Sequence, residues 1–132
     1  MSNINGMKPD GQPYKVLIVD DSPLIHKLIR KALEPIGFDI CAAGNNGKEG
    51  VELYDKYRPD IITMDITMPI KDGLQASKEI LIFNPNAKIV MLTSIGDEET
   101  LEEAKKIGIK HFITKPFKNE EFIRAIIKVL DK

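Results

Sequence analysis

Val16-Leu-Ile-Val-Asp-Asp-Ser-Pro23 packs a strand, an acidic turn and a helix start into one short stretch. The apolar run Val16–Val19 does not alternate with polar residues, as expected of a parallel strand covered on both faces. It stops at Asp20 and Asp21. Ser22 then supplies a helix cap, with proline at the first helical position. Leu24, Ile25, Leu28, Ile29, Ala32 and Leu33 follow at helical spacing, and Pro35 and Gly37 close the helix.

The same unit recurs down the chain. Strands are expected at 15–19, 38–42, 61–64, 88–92 and 111–114, each followed by a helix. Asn45 or Asn46 caps the second helix, which runs to Tyr57, and Asp72-Gly73 opens the third, which runs to Phe83. Asp97 caps the fourth, whose glutamates Glu98, Glu99, Glu102 and Glu103 precede Lys105-Lys106, in the order that complements the helix dipole. Asn119 caps the fifth, which carries the apolar stripe Phe122, Ile123, Ile126, Ile127 and Leu130. Five β-α units are too few for an eight-stranded barrel. They imply an α/β fold of the flavodoxin-like, doubly wound kind, a five-stranded parallel sheet in the order 2-1-3-4-5 with five helices. Residues 1–14, rich in Gly and Pro, read as a flexible N-terminal tail, and 15–132 as one domain.

In that strand order a ligand site forms beyond the carboxyl ends of the first and third strands. Asp20 and Asp21 end the first strand, Asp65 the third, Thr93 the fourth, and Lys115-Pro116 the fifth. Taken singly, each is an ordinary turn, cap or strand exit. Together they put three carboxylates, a hydroxyl and an ammonium at one edge. Carboxylates gathered in this way repel one another unless a cation neutralises them. Magnesium suits an all-oxygen donor set that leaves room for water and phosphate, and Mn2+ is a fit substitute. Next to such an ion, a carboxylate can attack a phosphoryl donor to give an acyl phosphate, while Lys115 and Thr93 meet the phosphoryl oxygens.

Composition narrows the alternatives. The chain has 132 residues, 42% hydrophobic and 30% charged, with a net charge of −1. That balance gives no broad electrostatic footprint for nucleic acid. One cysteine, Cys41, excludes an internal disulfide and fits a reducing compartment. No apolar run approaches the roughly 20 residues that cross a bilayer, and Met1–Gly6 lacks the pattern of a signal peptide. A cytoplasmic chain without membrane contact is the expectation. His26 and His111 have no spaced partners for a transition metal.

From Lys15 to Lys132 the sequence resembles the receiver domain of two-component response regulators. The landmarks are Val16-Leu-Ile-Val-Asp-Asp-Ser22, Met64-Asp-Ile-Thr-Met-Pro-Ile-Lys-Asp-Gly73, Leu92-Thr-Ser94 and Lys115-Pro-Phe117. The resemblance implies that Asp65 takes a phosphoryl group from the phosphohistidine of a sensor histidine kinase. It implies magnesium held by Asp20, Asp21 and Asp65 with the backbone carbonyl of Thr67. It further implies that Lys115 pairs with the phosphoryl group, that Thr93 bonds to it on activation, and that the Lys115-Pro116 peptide is cis. Phe112 would then turn from exposed to buried, reshaping the surface of the fourth helix, fifth strand and fifth helix for a partner. Such a protein is no turnover enzyme, although it takes part in its own phosphorylation and slow dephosphorylation.

The run Met64–Pro69 is most like that of chemotaxis regulators, whose target is the flagellar motor switch. Lys132 closes the fifth helix, so a stand-alone monomeric receiver that acts by binding a target is expected. The alternatives are a receiver excised from a longer DNA-binding or enzymatic regulator, and an intermediate in a multi-step phosphorelay. Haloacid-dehalogenase-like phosphatases also phosphorylate an aspartate, but they need a second one two residues on, where this chain has Thr67. A flavodoxin-like phosphate loop would meet repulsion from Asp20 and Asp21. Thr67 and Ile95 flank the site, and apolar Ile95 is expected to limit the access of water to the acyl phosphate.

Overall fold

A computed structural model describes residues 6–131. Five strands, β1 (Lys15–Val19), β2 (Asp39–Gly44), β3 (Ile61–Asp65), β4 (Ile89–Thr93) and β5 (His111–Thr114), form one parallel sheet in the order β2-β1-β3-β4-β5. Between and after them run α1 (Pro23–Leu33), α2 (Gly47–Tyr57), α3 (Gly73–Phe83), α4 (Glu98–Lys106) and α5 (Asn119–Leu130). This is the doubly wound topology expected from the sequence.

Alternate strand residues build two cores. Val16, Ile18, Ile61, Val90, Leu92 and Ile113 meet Ile29 and Leu33 of α1 and Phe122 and Ile126 of α5. Leu17, Val19, Ile62, Met64 and Met91 meet Tyr54 of α2, Ala76 and Ile80 of α3 and Ala104 of α4. The period of two along each strand divides the sheet between its helical layers. Phe122, Ile126, Ile29 and Leu33 are fully buried, and each is worth roughly 1.5–3 kcal/mol relative to exposure.

Helix starts follow the expected punctuation with two exceptions. The Ser22 hydroxyl accepts from Ile25 N–H, Asn46 Oδ1 from Glu49 N–H, and Asp72 Oδ1 from Gln75 N–H. Asp97, by contrast, makes no side-chain cap to α4, and its carboxylate accepts from Ser94 N–H at 2.7 Å. Lys118, rather than Asn119, occupies the cap position of α5. Its backbone N–H donates to Glu121 at 3.5 Å, the reciprocal half of a capping box, and no side chain caps the first turn as expected of Asn119.

Within the stretch read as an N-terminal tail, Gly6–Tyr14 forms a hydrogen-bonded turn, with Met7 bridging Pro13 in antiparallel fashion. Lys8 N–H donates to Gln12 O and Tyr14 N–H to Gly6 O. Gly6 N–H reaches Ile36 O at 2.7 Å, and a Cβ on Gly6 would overlap Phe38. That close approach is what a glycine permits. Residues 1–5 of the expected tail lie outside the described residues.

Candidate functional site

The carboxyl edge of the sheet brings the expected residues together because β1, β3, β4 and β5 end there side by side. Asp20 lies beyond Val19 of β1, its backbone N–H donating to Gly44 O at the end of β2, 3.1 Å away. Asp65 is the last residue of β3 and Thr93 the last of β4. Lys115 N–H donates to Thr93 O at 2.7 Å, and the Lys115-Pro116 peptide is cis. Asp20, Asp65 and Thr93 are buried, whereas Asp21 is exposed.

Lys115 joins the group. Its ammonium donates to Asp20 Oδ2 at 2.9 Å and to Asp65 Oδ1 at 3.1 Å. One carboxylate oxygen from each of Asp20, Asp21 and Asp65 falls within 4.8 Å of the others. Burial pushes the Asp65 carboxyl up from an ordinary value to about 6, with the negative charge of Asp20 adding to the effect, while Lys115 opposes it. Burial also pulls the Lys115 ammonium down, but its hydrogen bond to Asp20 and the charges of both carboxylates outweigh this and raise its pKa. Three carboxylates with one ammonium leave an excess of negative charge. Hard oxygen donors at this separation fit a small divalent cation.

The loop from β3 to α3 is pinned by close backbone contact. Gly73 N–H donates to Ile66 O at 2.8 Å, and a Cβ on Gly73 would overlap the Asp65 carbonyl. Gly47 N–H donates to Lys71 O at 2.8 Å, which fastens the loop to the start of α2. Lys71 pairs with Glu79 of α3 at 2.6 Å. Thr67, two residues past Asp65, is exposed in this loop.

Phe112 stands apart from the polar cluster. It lies in β5, half-buried, against the core under α2, α3 and α4. Ile95 is 95% exposed, so in this conformation it does not shield the site from water. One contact escaped sequence reasoning: His26 Nε2, from the first turn of α1, donates to Asp20 O at 2.6 Å. A histidine three residues past Pro23 carries no signal for a backbone carbonyl partner.

Known proteins resemble this chain. The response regulator receiver domain family matches residues 16–127. The chemotaxis protein CheY of Halobacterium salinarum is 47% identical over 116 residues, covering 88% of this chain and 96% of that protein. CheY of Treponema pallidum is 41% identical over 127 residues, 95% of this chain and 88% of that one. Among solved structures, the CheX-CheY-BeF3-Mg+2 complex from Borrelia burgdorferi includes a chain 34% identical, with a TM-score of 0.92, covering 99% of this chain and 100% of that chain. Fold, landmark residues and relatives agree: the chain belongs to the response regulator receiver domain family, and it resembles the chemotaxis CheY proteins over nearly its whole length.

Proposed function

We propose that the chain is a magnesium-dependent phosphoacceptor switch, with Asp65 as the residue phosphorylated by a sensor histidine kinase. The observation that carries this is the ammonium of Lys115 bonded to both Asp20 and Asp65, with a third carboxylate close by. In the transfer, an Asp65 oxygen attacks phosphorus, the P–N bond to the donor imidazole breaks, and that imidazole takes up a proton. Magnesium, held by Asp20, Asp21, Asp65 and the Thr67 carbonyl, would neutralise charge on the phosphoryl oxygens. Lys115 pairs with a second phosphoryl oxygen, and the Thr93 hydroxyl donates to a third.

Drawing Thr93 toward the phosphoryl group leaves space behind it, and Phe112 turns inward. The α4-β5-α5 surface then changes shape and a target binds it, which is a shift between two populations. Phe112 carries no hydroxyl, so packing alone holds the inward rotamer. Resemblance to CheY proteins favours a chemotaxis target, with a flagellar motor-switch protein as the partner of choice. The reading implies a cytoplasmic chain that acts as a monomer and contacts neither membrane nor nucleic acid directly.

Incubation with acetyl phosphate, read by intact mass, tests the proposal. One phosphoryl group should add to the native chain in magnesium, and none in chelator or in Asp65→Asn. Addition to Asp65→Asn at the native rate would refute Asp65 as the acceptor.

A further inference from the structure

Asp20 is held at four polar atoms, by groups from different parts of the fold. Its N–H donates to Gly44 O at 3.1 Å, and its Oδ1 accepts from Ser22 N–H at 2.9 Å. Its Oδ2 accepts from Lys115 at 2.9 Å. The fourth atom, the carbonyl oxygen, accepts from His26 Nε2 at 2.6 Å. The first three bonds fix the side chain and the amide of Asp20. The fourth fixes something else, the plane of the peptide that joins Asp20 to Asp21.

That peptide plane decides where Asp21 points. Rotating it changes ψ of Asp20 and φ of Asp21 together, and so swings the Cα–Cβ bond of Asp21. Asp20 and Asp65 are buried and their carboxylates are held by hydrogen bonds, but Asp21 is exposed. Its direction depends on the backbone that carries it. His26 is well placed to set that backbone, because the first turn of α1 sets His26: its N–H donates to Ser22 O at 3.2 Å, while Ser22 caps the helix and bonds Asp20. A carbonyl only accepts, so Nε2 carries hydrogen whether the imidazole is neutral or charged.

We infer that His26 is a positioning residue for the cation site, orienting Asp21 through its hydrogen bond to the Asp20 carbonyl. The inference rests on the magnesium reading given above. Groups that orient ligands from behind influence metal affinity by about 10–100-fold. A bond to the backbone of an exposed ligand belongs at the lower end of that range. The effect should appear in affinity more than in chemistry, since the imidazole of His26 bonds the Asp20 carbonyl rather than Asp65 or Lys115.

The test is calorimetric titration of magnesium into the native chain, His26→Gln, His26→Leu and Asp21→Asn, with circular dichroism to verify folding. Glutamine places an amide N–H where imidazole Nε2 stood, and leucine keeps the bulk without a donor. His26→Leu should bind magnesium about tenfold more weakly, and His26→Gln should recover most of that loss. The magnesium concentration that half-saturates uptake from acetyl phosphate should rise in step, by more than the rate at saturating magnesium falls. If His26→Leu does not fold, His26→Asn takes its place, because its shorter side chain cannot span to the carbonyl. Native affinity in the variant lacking the donor, or equal losses in the glutamine and leucine variants, would overturn the role of His26. No binding by the native chain, or binding indifferent to Asp21→Asn, would overturn the magnesium reading itself and this inference with it.

Discussion

At the carboxyl edge of the sheet Lys115 bridges Asp20 and Asp65, with side chains 18%, 0% and 11% exposed. At the opposite edge Lys8 pairs with Asp60 at 3.2 Å, with side chains 31% and 27% exposed. Both arrangements pair lysine with aspartate, yet their balances differ. Asp60 is satisfied twice, by the Lys8 ammonium and by Lys15 N–H at 2.7 Å, and one positive charge meets one negative. The other edge gathers three carboxylates around one ammonium, two of them buried, and the Asp65 carboxyl rises to about 6. A neutral, half-exposed pair fastens a turn. A buried excess of one sign creates a demand for a cation or a charged ligand, which is how electrostatic strain marks a site of chemistry.

Removing the bridging lysine should give the largest effect. Lys115→Met leaves two buried carboxylates without their shared ammonium, at a cost of about 3 kcal/mol in chelator at pH 8. Urea denaturation measures it, and added magnesium should recover part of the loss. If the variant proves as stable as the native chain, the two edges do not differ in the way described.

Next in size is Asp65→Asn, which should stabilise the magnesium-free protein at neutral pH and above. The folded carboxyl holds its proton up to about 6, whereas in the unfolded chain it releases it near 3.8. Between those values the unfolded state binds fewer protons, so native stability falls as pH rises through this window. The advantage of the variant should be near zero at pH 4, grow to about 2 kcal/mol by pH 7, and stay level above that. An advantage independent of pH would mean that Asp65 carries no unfavourable charge.

How far these contrasts could be read in advance depends on what held each group in place. Val16–Val19 and Ile89–Leu92 announce themselves, because burial on both faces demands continuous apolar side chains, and in Ile61–Met64 only Thr63 interrupts the run. The acidic ends, Thr93 and Lys115 follow from strand order, so the cluster was legible once the topology was. β2 runs on to Gly44 because Ala43 and Gly44 pair with Ile18 and Val19; these small residues carry little apolar signal of their own. The Gly6–Tyr14 turn is bonded largely between backbone atoms and His26 finds a backbone carbonyl, groups that every sequence possesses alike. Ile70 likewise stands at φ 70, a conformation that its β-branched side chain disfavours and that only the surrounding loop explains.

The smallest effect expected is that of Lys8→Ala, and the reason lies in the second partner of Asp60. Loss of Lys115 strands carboxylates that sit inside the protein. Loss of Lys8 leaves Asp60 still bonded to Lys15 N–H and open to water. Partly exposed ion pairs are worth about 0–1 kcal/mol, with salt screening much of that. The variant should therefore lose about 0.5 kcal/mol in urea denaturation at low salt and less at high salt. Its uptake of phosphoryl from acetyl phosphate should match the native chain, because the sheet stands between Lys8 and Asp65. A loss nearing that of Lys115→Met would mean that the N-terminal turn does more than fasten an edge, and that the two lysines hold the fold by the same means.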